Sequence, residues 1–328
     1  MVSEGHVSSR TACELLMPFS AWRAAFEELR RGRVDELVHI PERSRLWRIA
    51  KHLDSVQLHQ LDENLSWEPD VLVGAPEERS GRLFLGTYSE AGLLYAFQRY
   101  GLWERLVEVA RDEPRIRIEG TGESIQRFTI RDGDEGATLV DVKAGLRFGP
   151  DGDDHRTHDL PGSESRPWLS MEWLSLQNPY RDFAPEQPRL PGQSHPGLGA
   201  GREVMELMLI SGWRLGCNGV VAYPAWFHNA VMYRVHYRFV DPVEEGQFLG
   251  MMEAWSAADI PLALASLDVE AGRVLDGEGR GVEWRPGPMV APLDSEAELE
   301  SQKGWLDAVD SAREASNYTF ASSSIQRS

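Results

Sequence analysis

The stretch that decides the fold begins with the apolar run Trp168-Leu-Ser-Met-Glu-Trp-Leu-Ser-Leu176 and ends near Asp241. Its apolar and aromatic composition predicts a strand. A Pro-rich excursion then leads to the glycine ladder Gly197-Leu-Gly199-Ala-Gly201-Arg202. The remaining pattern predicts a helix over 202–215, a strand over 219–223, a helix over 226–236 and a strand near 236–240.

Composition excludes several classes of function. The chain has 328 residues, a formal net charge of −18 and a pI near 5.0, so its surface repels nucleic-acid phosphates and anionic lipid. Its two cysteines, Cys13 and Cys217, lie far apart, which favours a reducing compartment. There is no apolar run long enough to span a bilayer and no signal-peptide pattern. We therefore expect a cytoplasmic protein that binds neither nucleic acid nor membrane.

The chain divides into three predicted regions. Residues 1–81 form an N-terminal helical region, 82–245 form the core, and 246–328 form a helical and hairpin extension packed on it. The core begins with a strand over 82–88, two helices from Ser89 to about 110, and an antiparallel meander over 115–119, 124–131 and 137–148. The extension is expected to contain helices over 243–255 and 257–267, a hairpin over 272–284, an extended segment over 286–292 and a last helix over 295–315.

The glycine ladder has the chemistry of an anion-binding loop. Glycines let backbone amides approach an anion closely, and the N-terminus of the following helix carries partial positive charge. The alternative interpretation is a tight turn that lets the helix pack closely on a strand.

Four later residues add to the pattern: Asn229, Ala230, Tyr233 and Phe239. With the element order and the glycine ladder, they resemble the GNAT superfamily of acyl-CoA N-acyltransferases, mainly over residues 168–241. The resemblance implies an α+β fold of the α/β/α type, with a mixed, mostly antiparallel central sheet and helices on both faces. Extra helical segments would lie at both termini. It also implies acetyl-CoA or another acyl-CoA as co-substrate, with no metal.

The resemblance also implies a set of cofactor-binding residues. The loop and helix start would bind the pyrophosphate through Gly197, Leu198, Gly199, Ala200, Gly201 and Arg202. The strand backbone at Leu174 and Leu176 would hold the pantetheine amides. Asn229 would either support the CoA arm or cap a helix.

Two side chains are candidates for the chemistry of amine acylation. Glu172 is the candidate base, because a lone carboxylate in an apolar strand is costly without a purpose or a partner. Its alternative role is to face solvent or to pair with an arginine. Tyr233 is the candidate acid near the departing sulfur, with a core tyrosine as the alternative. His195 and His228 flank the same loop and helix and could be a base, a ligand contact or a cap.

Other functions stay open at this point. The stretch departs from the family pattern at Ser194, Pro196 and the long excursion 177–195, which favours a catalytically inactive GNAT-like scaffold that binds acyl-CoA or a protein partner. A third hypothesis is a hydrolase or metalloenzyme that uses His155 and His158. The acceptor would be a small-molecule or peptide amine, and the acidic surface favours a cationic one. Tryptophans outside the core, such as Trp22 and Trp47, would cover the core or form a homodimer interface.

Overall fold

The structure is a computed structural model that describes residues 44–53, 55–59, 83–120, 124–148, 160, 166–185, 188–293, 299 and 304–321. The helices are α1 (Arg45–Ala50), α2 (Ser55–Leu58), α3 (Glu90–Tyr100), α4 (Trp103–Val109), α5 (Gly201–Arg214), α6 (Phe227–Tyr233), α7 (Pro242–Ala258), α8 (Leu262–Glu270) and α9 (Trp305–Ala315). The strands are β1 (Pro114–Glu119), β2 (Ile125–Asp132), β3 (Thr138–Arg147), β4 (Trp168–Leu176), β5 (Gly219–Ala222), β6 (Arg238–Phe239), β7 (Val274–Leu275), β8 (Met289–Pro292) and β9 (Thr319–Phe320).

Seven strands of the described chain form one mixed sheet in the order β1-β2-β3-β4-β5-β8-β6. The pairs β1–β2, β2–β3 and β3–β4 are antiparallel, as the predicted meander requires. Only β4 and β5 are parallel, and helix α5 makes the crossover that a parallel pair needs. The α+β class with a mostly antiparallel sheet is therefore as predicted.

Helices cover both faces of the sheet around β5. The side chains of successive strand residues point to opposite faces of the sheet, so Val220 and Val221 pack on different faces. Helix α5 packs on the face that carries Val220. A Cβ added to Gly212 of α5 would lie only 3.1 Å from Cγ2 of Val220. Val221 belongs instead to a buried cluster with Trp168, Trp305 and Val309, the last two from α9. The central strands are thus packed between α5 and the C-terminal helix.

One expectation about a strand is wrong. The predicted strand over 82–88 is a tight turn closed by an isolated bridge between Phe84 and Tyr88. Leu85 has φ 53° and Gly86 has φ 65°, so the chain reverses there instead of extending. The expected hairpin over 272–284 is present: an antiparallel bridge joins Leu275 and Gly281, and the amide of Val282 donates to the carbonyl of Val274 at 2.8 Å. Strand β7 also pairs with β9 near the C-terminus.

Strands from both sides of residue 245, where the core was predicted to end, share one sheet. Strand β8 comes from the expected extension, yet it lies inside the sheet between β5 and β6. Met289 pairs with both Ala222 and Phe239. Residues Pro41–Ser328 accordingly form one compact unit. Most of the predicted N-terminal helical region, residues 1–81, lies outside the described residues. None of the described helices is long and apolar enough to cross a membrane.

Gly219 is required by the packing at the start of β5. A Cβ at this position would lie 2.4 Å from Cζ3 of Trp168 and 2.5 Å from the carbonyl oxygen of Ala291. We expect Gly219→Ala to lower the free energy of unfolding by about 2 kcal/mol, because the buried neighbours must move. Urea unfolding measures this, with Gly197→Ala as the control, since its added Cβ would meet its nearest atom at 3.6 Å. Equal midpoints for Gly219→Ala and the unmodified protein would contradict the packing argument.

Candidate functional site

The site lies where the pairing of β4 with β5 ends, and we call it the wedge. The two strands pair over four residues each, from Trp168 opposite Gly219 to Met171 opposite Ala222. Strand β5 ends there, whereas β4 continues from Glu172 to Leu176 without a β5 partner. The wedge is therefore bounded by Glu172–Leu176 on one side and by the chain leaving β5 at Tyr223 on the other.

A β-bulge in β4 lies where the wedge begins. Lys143 of β3 pairs with Trp173, and the next residue, Ala144, pairs with Met171, so Glu172 is the extra residue. A bulge bends its strand and redirects a side chain, and such bulges occur frequently beside active sites. The β4–β5 ladder therefore ends beside the bulge, at the position of the predicted base.

Beyond the bulge, some backbone groups of β4 have no backbone partner among the described residues and face the wedge. The amide of Gln177 donates to Leu139 of β3, at 3.0 Å. Along an antiparallel strand, the backbone N–H and C=O groups of successive residues point alternately to one neighbouring strand and to the other. Those of Gln177 point to β3, so those of Leu174 and Leu176 point away from β3. The carbonyl of Leu176 accepts from the amide of Leu198, at 3.3 Å. The amide of Leu176 and both backbone groups of Leu174 therefore face the wedge.

The glycine loop lies against this strand edge. Gly197 forms an isolated bridge with Gln177, directly after β4. Gly199 has φ 71°, a left-handed conformation that favours glycine. Helix α5 follows with Ala200 as its N-cap and no side-chain cap. Its first amides have no partner within the helix, so their N–H groups are available to an acceptor. The structure thus brings the predicted residues Gly197 and Leu198 beside Leu176.

The excursion between β4 and the glycine loop closes on itself. Its two ends meet where the amide of Asn178 donates to the carbonyl of Pro196, at 2.7 Å. The hydroxyl of Tyr180 donates to Asp132 at the end of β2. Burial alone would raise the pKa of Asp132, but hydrogen bonds from Tyr180 and from two backbone amides outweigh it and lower that pKa. The long insertion therefore returns the chain to the wedge.

Glu172 is held by two neighbours on its own face of the sheet. Ser170 donates to its Oε1 at 2.6 Å, and Arg147 at the end of β3 donates to the same oxygen at 2.9 Å. The carboxylate is only 19% exposed. Both contacts use Oε1, so Oε2 accepts from no described residue. The arginine partner considered as the alternative is present, and it leaves one carboxylate oxygen able to accept a proton.

Tyr233 lies at the end of α6 and stays protonated. Burial raises its pKa to about 12. Its ring packs against Tyr237, with 5.8 Å between the centroids. Buried Tyr237 Oη has no hydrogen-bond partner among the described residues. Burial, with a smaller contribution from the charge of Arg202, lowers the pKa of His236 to about 4.

The turn that follows Tyr233 is fixed by a buried carboxylate. Glu245 is 1% exposed, and its Oε1 lies 3.3 Å from Arg234 while its Oε2 accepts from the amide of Phe239, at 2.9 Å. Desolvation raises the pKa of Glu245 in spite of these partners. An unpaired charge in this place would be strongly destabilising, so the ion pair holds α6 against α7.

The other predicted residues have structural roles or positions outside the wedge. The side chain of Asn229 accepts from the amide of Trp226, at 3.2 Å, which caps the first turn of α6. His195 is half-buried in the loop before the glycines. Cys217 is buried, which raises the pKa of its thiol to about 11. His155 and His158 lie outside the described residues, within which no group of three or more potential ligands could hold a metal ion.

Several residues of the site were not among those predicted from the sequence. Arg147 and Ser170 contact Glu172 only because the β3–β4 register and the bulge bring them together. His236 and Tyr237 lie between Tyr233 and Phe239 of the predicted set. This cluster of aromatic and imidazole groups is the sequence feature that could have indicated them. Glu245 opens a helix in the sequence, where a carboxylate is ordinary.

His228 makes stability depend on pH. It is 3% exposed, its Nδ1 has no partner among the described residues, and burial lowers its pKa from 6.5 to about 4. Between these values the unfolded chain binds more protons, so stability falls as pH decreases, by up to about 3 kcal/mol. Urea unfolding from pH 7 to pH 4 measures the slope, and His228→Gln should reduce it. The same change at exposed His52 is the control, and an unaltered slope in His228→Gln would contradict this account.

No protein-family model matches the chain, and no curated protein matches it.

Proposed function

We propose that the protein is an acyl-CoA-dependent N-acyltransferase of the GNAT type, which binds acetyl-CoA or another acyl-CoA in the wedge. One observation carries this proposal: the parallel pairing of β4 with β5 ends at a bulge in β4, beside a glycine loop that opens helix α5 without a side-chain cap. In the GNAT enzymes that the sequence resembles, two such strands splay apart beside a glycine loop and form the CoA cleft.

The chain's own groups fit the separate parts of an acyl-CoA. The first amides of α5 and the loop Gly197–Gly201 suit the pyrophosphate, because N–H groups and a helix N-terminus favour negative charge. Arg202 adds a cation in the first turn of the helix. The backbone groups of Leu174 and the amide of Leu176 suit the pantetheine amides, which would pair with this strand edge as an added strand does.

The reaction moves one acyl group and needs one proton to be accepted and one to be donated. The acyl-CoA supplies the acyl group and a thiol leaving group: a bond forms from the acceptor nitrogen to the acyl carbon, and the carbon–sulfur bond breaks. Glu172 Oε2 accepts the proton that the nitrogen loses. Tyr233 is protonated over the physiological range and donates to the departing sulfur. Proton exchange with water then restores both side chains.

A second candidate function is a catalytically inactive scaffold that binds acyl-CoA or a protein partner. The observation in its favour is the ion pair of Glu172 with Arg147, which stabilises the carboxylate without any substrate. Ser194 also stands where the family pattern has Gln or Arg before the glycines.

A thiol-release assay with a broad panel of amines separates the two functions. The acyltransferase predicts release of free CoA that depends on the amine, together with mass-spectrometric detection of the acylated product. The scaffold predicts that acetyl-CoA raises the melting temperature while no amine in the panel is acylated. If acetyl-CoA neither raised the melting temperature nor supported turnover, the proposal that the wedge binds acyl-CoA would be overturned.

A further inference from the structure

The sheet face that carries Glu172 presents several basic side chains, although the whole chain is acidic. The register places Lys143 of β3 opposite Trp173 of β4 and opposite Arg127 of β2. Residues directly opposite each other lie on the same face of a sheet. Arg147 reaches Glu172 on this face too. We call the surface formed by Glu172, Trp173, Lys143, Arg147 and Arg127 the Glu172 face.

Most charges on the Glu172 face are already compensated. Arg127 donates two hydrogen bonds to Asp141, at 2.7 and 3.0 Å, and lies 3.3 Å from Glu119. Arg147 is paired with Glu172. Lys143 is exposed and forms no ion pair with any described residue. The ammonium of Lys143 is therefore the available charge beside the bulge, although the chain carries a net −18.

An exposed aromatic ring lies next to the predicted base. Trp173 follows Glu172 directly, and 45% of its surface is exposed. A large ring at this position provides a flat apolar surface and favourable stacking for an aromatic partner. A cation, an aromatic surface and a carboxylate oxygen thus lie on neighbouring positions of two paired strands.

We propose that the acceptor is an amino carboxylate with an apolar or aromatic body. This inference rests on the proposed acyltransferase function. The amine lies at Glu172 Oε2, the carboxylate binds the ammonium of Lys143, and the body packs on Trp173. Acylation forms the nitrogen–carbon bond of an N-acyl amino carboxylate, with the amine proton passing to Glu172. A polycationic acceptor, which the overall charge favours, would instead meet the positive charges of Lys143 and Arg147.

Ligand binding tests this inference without acyl-CoA. The probes are L-phenylalanine and L-phenylalanine amide, which differ in the carboxylate, and the readout is calorimetry or quenching of tryptophan fluorescence. We expect the carboxylate to bind about fivefold more tightly, as one exposed ion pair allows. Lys143→Met should remove this preference. Arg115→Met is the control, because Arg115 is an exposed cation of the same sheet on edge strand β1. Equal binding of both probes, or a preference that survives Lys143→Met, would overturn the inference.

Turnover with the same probes separates this inference from the proposed function. A higher kcat/KM for L-phenylalanine than for its amide or for spermidine supports both. Turnover that prefers spermidine overturns the amino-carboxylate acceptor and leaves the acyltransferase intact. Lys143-dependent binding of L-phenylalanine without acylation of any amine overturns the acyltransferase and retains the amino-carboxylate subsite.

Discussion

Glu172→Gln should lower kcat by about 10²- to 10⁴-fold while leaving the affinity for acetyl-CoA unchanged. The amide has the shape of the carboxylate, and its oxygen still accepts from Ser170, which donates to Oε1 at 2.6 Å. It cannot accept the proton that an attacking amine loses. Single-turnover thiol release measures the chemical step, and calorimetry measures acetyl-CoA binding in the same variant.

Glu119→Gln is the matched control for this experiment. Glu119 is also a carboxylate of the central sheet and also pairs with an arginine, Arg127, at 3.3 Å. It lies on edge strand β1, three strands away from the wedge. We expect it to retain activity. Turnover of Glu172→Gln within about threefold of the unmodified protein would exclude Glu172 as the base, because loss of a general base costs far more.

Gly201→Asp should weaken acetyl-CoA binding by at least about 100-fold without lowering stability. A Cβ at Gly201 would meet no atom within 4 Å, so the side chain fits. A carboxylate in the first turn of α5 interacts favourably with the helix dipole, by about 0.3–1 kcal/mol. The same charge would repel a pyrophosphate a few ångströms away, and a cost of about 3 kcal/mol corresponds to the expected loss of affinity.

The design of Gly201→Asp distinguishes lost binding from lost folding. Gly277→Asp makes the same substitution at another exposed glycine, where an added Cβ would have its nearest contact at 3.6 Å, with Asn317. It should leave both binding and stability unchanged. Unaltered affinity in Gly201→Asp would contradict a pyrophosphate site at the start of α5.

The local parts of the fold could be predicted from the sequence. The apolar run Trp168–Leu176 has the same bounds as β4, and the helix expected after the glycine ladder is α5. Both depend on periodicity and on glycine, which act over a few residues. The expected strand at 82–88 was wrong because the positive φ values of Leu85 and Gly86 reverse the chain within an apolar segment.

The arrangement of the site depends on long-range pairing and could not be predicted. The bulge at Glu172 exists only in the register with β3, and the contact from Arg147 spans 25 positions of the sequence. Strand β8 enters the sheet between β5 and β6 from a Pro-containing segment whose local pattern indicates only extended chain. The wedge follows from the different lengths of β4 and β5 and from the bulge, and neither feature is encoded in the glycine ladder.

The most direct test of the central claim is a calorimetric titration of acetyl-CoA into the full-length protein. We predict saturable one-to-one binding that persists in Gly277→Asp and is lost or greatly weakened in Gly201→Asp. No saturable heat at acetyl-CoA concentrations up to about 1 mM, equivalent to less than about 4 kcal/mol of binding free energy, would contradict an acyl-CoA site in the wedge.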